Sequence, residues 1–445
     1  MKKFIGTIKN IWAIEDLRTR ILITLVFAVI YRFGSYIVLP GIDPNVASDA
    51  LANQAKDNGL LNLLSMFSGG AFTHASIFAL GIMPYISASI VIQLLCVAVP
   101  SFQKIQREGE SGRRKINTYT RALTIVILLI QAPAYLFNLQ HTMGPAMPEM
   151  EWSFLVPSTI IMAGGSMFIL WLGERITDKG IGNGVSLIIM LGIIARLPEA
   201  FGQELSHRLT NMTGGGLVMF LLEIIVLFAV VLVAILLVQG TRKIPVQYAK
   251  RVMGNQKVGG ARQYLPLKVF SANVMPIIFA QALMFIPGIV ASAIGGDSSA
   301  AAIAFKNPQG LWYNVLSALL IIAFTYFYTA ITMNPVQMAE DMKRNNGFIP
   351  GIRPGKDTAE YIDGVMSRIT FPGSLILAFI AIMPVFAQMF DISQGFAQFF
   401  GGTSLLILVG VVLDTLQQIE SHLMMRHYDG LLSSGRIHGR SMSAY

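Results

Sequence analysis

Charge is what this sequence has least of. Asp, Glu, Lys and Arg make up 13% of its 445 residues, about half the share typical of a soluble domain. No polar stretch is long enough to fold as a large soluble domain. Cysteine is nearly absent as well. Cys96 stands alone in an apolar run, which excludes an internal disulfide and leaves the redox compartment open. The first 20 residues are basic and amphipathic without a small-residue cleavage site, so no removable signal peptide is expected. No lipidation motif is found.

Motifs that carry chemistry are equally thin. Metal and nucleophile centres need several ligands or a positioned base. The six histidines (His74, His141, His207, His422, His427 and His438) are instead scattered over loops and span ends. There is no HExxH and no Gly-x-Ser-x-Gly elbow. The stretch Gly351-Ile352-Arg353-Pro354-Gly355-Lys356-Asp357 resembles a phosphate loop, but only three residues separate its glycines. Asp357 also stands where magnesium would need a hydroxyl. Catalytic residues, metal and cofactor are therefore not expected, and ATP-driven work falls to a partner.

What is present is apolar sequence, 54% of the chain. Runs of about 20 apolar residues, the length that crosses a bilayer, fall near 21–40, 76–98, 119–138, 153–172, 182–200, 216–239, 270–293, 311–332, 370–389 and 402–422. With the N-terminus cytoplasmic, 28 of the 33 Lys and Arg residues lie on that side. This follows the positive-inside rule and puts both termini in the cytoplasm. Ionisable residues within the spans are few: Arg32, Glu223 and Asp414. A structural pairing among them is one reading; a proton relay built from them alone is not expected.

One stretch breaks the pattern. Residues 60–67 are apolar but too short to span, and Ser68-Gly69-Gly70 separates them from the second apolar run. That run contains Met83-Pro84, and Met275-Pro276 occupies the corresponding position in span 7. Five spans per half imply inverted repeats, and matched Pro-interrupted spans point to a pathway at their interface. The alternative is coincidence, since proline is common in membrane helices. The apolar lining speaks against a solute carrier, which remains the rival reading, and an intramembrane hydrolase lacks a nucleophile–base pair.

Specific motifs follow. They are Tyr31-Arg32-Phe33-Gly34 with Pro40-Gly41-Ile42, Gly109-Glu110-Ser111-Gly112-Arg113-Arg114-Lys115, and Gly173-Glu174-Arg175-Ile176-Thr177 with Gly180-Ile181-Gly182-Asn183-Gly184. Further along come Ile244-Pro245-Val246-Gln247-Tyr248-Ala249-Lys250-Arg251, Leu265-Pro266-Leu267-Lys268 and Gly351-Ile352-Arg353-Pro354-Gly355. Together, and in this order, they resemble the bacterial SecY family, the main subunit of the protein-conducting channel. Departures are Lys243 for the usual Arg, and Phe270, Asn273 and Met275 for the usual Asn, Gly and Ile.

The resemblance implies an all-α polytopic membrane protein with ten transmembrane helices in two inverted five-helix halves around a central pore. A short re-entrant plug helix (61–72) accompanies them, with Leu64, Met66, Phe67, Gly69 and Gly70 as plug and hinge. It implies an amphipathic N-terminus (1–20), halves at 21–200 and 201–425, cytoplasmic docking loops at 240–268 and 334–368, and a cytoplasmic tail (426–445). The implied pore ring is Ile82, Ile86, Val185, Ile189, Ile278 and Ile407. The spacing of Ile82 with Ile86, and of Val185 with Ile189, puts each pair on one helix face. A lateral gate between spans 2 and 7 would carry Ser87, Ser89, Gln93 and Pro276. Arg242, Lys243, Lys250, Arg251 and Arg353 would dock partners. Those partners are small SecE-like and SecG-like membrane subunits, a SecA-type motor ATPase, the ribosome, signal sequences, unfolded polypeptides and membrane lipid. No nucleic acid is implied beyond ribosomal contacts, and the implied location is the bacterial cytoplasmic membrane.

Overall fold

The computed structural model describes residues 12, 14–44, 46–47, 65, 67–143, 151–210, 216–248, 251–253, 256–258, 262–270, 275–284 and 310–433. They divide into two compact units, Met1–Arg196 with Val411–Tyr445, and Leu197–Gly410.

The first unit opens with α1 (Glu15–Gly34) and continues through α2 (Met83–Ala98), α3 (Pro100–Arg107), α4 (Glu110–Met143) and α5 (Trp152–Lys179) to most of the first half of α6 (Gly184–Thr210). Its core joins α4 and α5 to the segment between α1 and α2, through Leu39, Phe72, Ala79, Leu128, Leu136 and Met162, all buried. Glycines let α5 and α6 approach closely. A Cβ built on Gly184 would collide with the Gly173 carbonyl, so only glycine fits there.

The second unit contains α7 (Gly216–Gln239), α8 (Met275–Leu283), α9 (Leu311–Thr332), α10 (Pro335–Arg344), α11 (Lys356–Met389), α12 (Gln394–Ala397) and the start of α13 (Gly402–Ser433). Helix α7 is apolar on every side. Val218, Leu221, Ile225, Phe228 and Leu236 are exposed along it, as suits a helix whose solvent is hydrocarbon. Among the described residues, seven helices are long and apolar enough to cross a membrane, or eight if α2 and α3 form one broken span. The remaining expected spans correspond to α1 and to α8, of which only nine helical residues are described.

Three sequence expectations change. First, the second span does not begin at residue 76. Residues 68–82 are tight turns and α2 starts at Met83 with its proline in the first turn, where a missing N–H is harmless. Pro84 therefore begins its helix and does not interrupt it. Pro276 is the second residue of α8, and residues 271–274 before it lie outside the described residues. Second, Ile82 is the N-cap of α2, so it precedes the helix face that holds Ile86.

Third, the basic loops are not free loops. Strands β1 (Thr241–Tyr248), β2 (Arg251–Met253), β3 (Gln256–Val258) and β4 (Arg262–Lys268) come from the first, and β5 (Gly347–Phe348) from the second. β1 pairs antiparallel with β4, Thr241 opposite Lys268. β5 adds to the other edge of β1, Gln247 opposite Phe348. Alternation along β1 buries Ile244 and Val246. They pack with Leu267, Met342, Ile349, Ile362 and Met366 from β4, α10, the turn after β5 and α11. The two loops therefore form one small cored body.

Candidate functional site

Ser65 and residues 67–82 form a knot, mostly of turns and buried almost throughout, inside the first unit. Polar donors from three helices hold it, two through its carbonyls and one through a hydroxyl. Tyr31 Oη of α1 donates to the Ser68 carbonyl at 3.2 Å, and Arg32 Nη1 to the Gly69 carbonyl at 2.7 Å. Tyr135 Oη of α4 donates to the Phe72 carbonyl at 2.9 Å. Arg196 Nη2 of α6 reaches Thr73 Oγ1 at 3.2 Å. A single antiparallel bridge, Val38 with Ser76, ties the knot to the chain leaving α1. Arg32, one of the three intramembrane ionisable residues, is thus engaged by the knot, and its guanidinium also lies over the Tyr36 ring.

Gly69 has two reasons to be glycine. Its φ is +62°, and a Cβ there would lie 2.7 Å from the Gly192 Cα of α6. Gly192 answers it: a Cβ there would sit 3.0 Å from the Phe67 carbonyl oxygen. Gly70, at φ +90°, has room around it. So the pair expected only to act as a joint divides its work, Gly69 making a close contact and Gly70 supplying a turn. Phe67 is buried. Leu64, Met66 and most of 61–67 lie outside the described residues.

The aliphatic positions are all shielded. Ile82, Ile86, Ile189 and Ile407 are buried, and Val185 and Ile278 are half-buried. None is exposed like the lipid-facing residues of α7. The first turn of α6, which carries Val185, is fixed by a polar joint at Gly180–Gly184. There Thr24 Oγ1 accepts from the Ile181 N–H at 3.2 Å. Gln418 Oε1 accepts from the Gly182 N–H at 2.9 Å, and Thr177 Oγ1 from the Gly184 N–H at 2.9 Å. Along α2, Ser87, Ser89 and Gln93 are half-buried, and Gln93 Nε2 donates to Ser89 Oγ at 3.3 Å. Pro276 is buried.

Of the basic candidates, Arg242 and Lys243 are exposed on β1 and Arg353 is exposed just beyond β5. Arg251 lies on β2; Lys250 lies outside the described residues.

Sequence reasoning missed a buried ion cluster in the second unit. Arg208 Nε donates to Glu204 Oε1 at 2.9 Å, and Nη2 donates to the carbonyls of Phe390 and Asp391 at 3.1 and 2.9 Å. Glu204 Oε2 accepts from the Ser393 N–H at 2.7 Å. Glu223 Oε1 stands 2.7 Å from Nη2. Glu223 is thereby ion-paired to the same guanidinium. An apolar cavity of about 200 Å³ lies beside it, lined by Met219, Leu222, Val226, Met383 and Phe386 among others. The available signal was the four-residue spacing of Glu204 and Arg208.

Comparison with known proteins agrees with this architecture. The SecY family model matches residues 76–416. Protein translocase subunit SecY of Streptomyces galbus is 42% identical over 429 residues, 94% of this chain and 97% of that one. The same subunit of Halalkalibacterium halodurans is 44% identical over 436 residues, 96% of this chain and 99% of the other. A solved protein-conducting channel shares the fold with a TM-score of 0.59 at 18% identity, covering 96% and 95% of the two chains. Sec61 in a canine ribosome–channel complex does so at 0.53 and 17%, with the same coverage. The chain belongs to the SecY family, channel subunits of the protein translocase rather than enzymes.

Proposed function

We propose that this chain lets unfolded polypeptides pass through a waist formed by Ile82, Ile86, Val185, Ile189, Ile278 and Ile407, with the segment 61–72 as its plug. The observation that carries the reading is that all six aliphatics are shielded in a protein whose other apolar side chains face outward in quantity. A narrow collar of branched aliphatics excludes ions by dewetting. It offers no polar group to hold any particular side chain, so it suits many sequences. The plug adds a second barrier, since broken backbone at membrane depth is stable only against protein or a water-filled cavity.

In this reading α2 and α8 part sideways for apolar segments. A segment of about 20 apolar residues is stabilised by leaving into lipid, while a polar one continues across. The Ser89–Gln93 pair and Ser87 supply a polar seam that closes again. The cored body of β1, β4, β5, α10 and the start of α11 carries Arg242, Lys243 and Arg353, with Arg251 and Lys250 adjacent in sequence. It is the docking platform for a SecA-type motor or a ribosome. The ribosome-bound Sec61 and yeast Ssh1 complexes among the structural neighbours support the latter partner. Small SecE-like and SecG-like subunits complete the assembly in the bacterial cytoplasmic membrane, both termini inside.

The test is electrical and chemical. Ile86→Asn with Ile278→Asn wets the collar and makes sealed vesicles leak ions, and a stalled precursor crosslinks to Ile82 and Ile278. Unchanged conductance together with crosslinks elsewhere would overturn the assignment.

A further inference from the structure

Asp414 is an exposed carboxylate more than halfway along the last membrane span, Gly402–Leu423. Among the described residues it has no ion-pair or hydrogen-bond partner. A charge facing hydrocarbon at that depth is costly, so such a residue faces water or a partner. Position on the helix decides between them. Asp414 follows Ile407 by seven residues, two turns along nearly the same face of α13. Its neighbours on that side are the buried Val411, Gly410, where added bulk would meet open space, and the exposed polar residues Gln417 and Ser421. Gln418, one turn further on, binds the Gly182 N–H at the joint where α6 begins, and α6 carries Val185 and Ile189. The stripe from Ile407 to Ser421 thus turns from aliphatic to polar within one helix.

We propose that Asp414 sets the charge preference of the channel's inner mouth, drawing cations and the basic residues of an entering chain and repelling anions. This rests on the pore reading above, in which Ile407 belongs to the waist and the C-terminus is cytoplasmic. Rings of side-chain charge select ions in this manner. A unit charge about 10 Å from an ion in water changes that ion's local concentration about twofold, in opposite senses for cation and anion. The ratio of potassium to chloride permeability therefore shifts about fourfold.

The experiment reads reversal potentials in a potassium chloride gradient, using the complete reconstituted complex in the leaky Ile86→Asn, Ile278→Asn background. Asp414→Asn lowers the potassium-to-chloride ratio about fourfold, Asp414→Lys lowers it further, and Asp414→Glu retains it. Conductance with an unchanged ratio in both Asn and Lys variants would overturn the proposal while leaving the pore intact. Loss of co-purifying membrane subunits in Asp414→Asn would also overturn it, making the carboxylate a partner contact. A parent background that conducts nothing would remove the pore assignment and this proposal with it.

Discussion

Gly69→Ala is the sharpest probe of the proposed plug in its seated state. The substitution meets two separate penalties. At φ +62° an L-residue is disfavoured by about 1–2 kcal/mol. Its Cβ would also fall 2.7 Å from backbone, the Gly192 Cα, which cannot rotate away; overpacking of that kind costs about 1–3 kcal/mol. The sum, about 2–5 kcal/mol, acts against the seated state alone. At 1.4 kcal/mol per tenfold it raises the unseated population about 30-fold to several thousandfold, until that population saturates. Gly70→Ala at φ +90° meets only the first penalty, because its nearest neighbours stand 3.7 Å away. About 5- to 30-fold is expected there.

The assay uses the scarcity of cysteine. In a Cys96→Ser background, Ser65→Cys introduces a thiol at a fully buried position whose hydroxyl has no hydrogen-bond partner. Labelling by a maleimide then reports unseating with little perturbation of its own. The expected order of rates is Gly69→Ala well above Gly70→Ala, with both above the parent. Equal rates in the two alanine variants would refute the close approach of Gly69 to α6 and the seating argument built on it.

Three other outcomes follow. Arg208→Met leaves Glu204 and Glu223 buried without their cation, each at most 2% exposed, and breaking a buried pair in this way costs about 3–5 kcal/mol. A lowered thermal midpoint in detergent checks it, and an unchanged midpoint would mean the cluster is hydrated or neutral. Gly347→Val drives a side chain into the Tyr248 ring, 2.9 Å from the added Cβ, and parts β5 from β1. Motor-driven translocation should fall while membrane insertion of the chain itself, read by protease accessibility, stays normal. Arg251→Glu with Arg353→Glu should weaken motor or ribosome binding at low salt without lowering the thermal midpoint; parent-level binding would remove both residues from the docking surface.

How far the sequence could be read depended on the kind of signal involved. Apolar length is an average over many residues, so the spans were legible, and each expected span overlaps a described helix. Boundaries were not. Residues 76–82 are as apolar as the span they precede, and hydropathy cannot register that Ala71, Ala75 and Ala79 are buried in turns. The pairing of β1 with β5 joins residues about a hundred positions apart through only two partners, and no local pattern announces it. The Arg208 cluster was hidden for the same reason. Its four-residue spacing with Glu204 is visible in any helix, but the Phe390 and Asp391 carbonyls that complete it are contributed by a distant turn. Gly69 was legible as a glycine with freedom, and illegible as one half of a contact with Gly192.

The proposed plug and the proposed aliphatic waist are made of opposite materials, and that opposition links them. The knot is tied by hydrogen bonds from Tyr31, Arg32, Tyr135 and Arg196. Such bonds are worth about 4–6 kcal/mol in a dry surround, but only about 0.5–1.5 net where water can replace either partner. The tethers therefore stay strong only while water is excluded, and in the proposed waist the residues that would exclude it are Ile82, which ends the knot, and Ile86, about one turn beyond it. Ile86→Asn touches none of those four bonds, yet it should accelerate labelling of Ser65→Cys severalfold by letting water reach them. Ion leak without faster labelling would show the two barriers to be independent, and the coupling through dryness would be wrong.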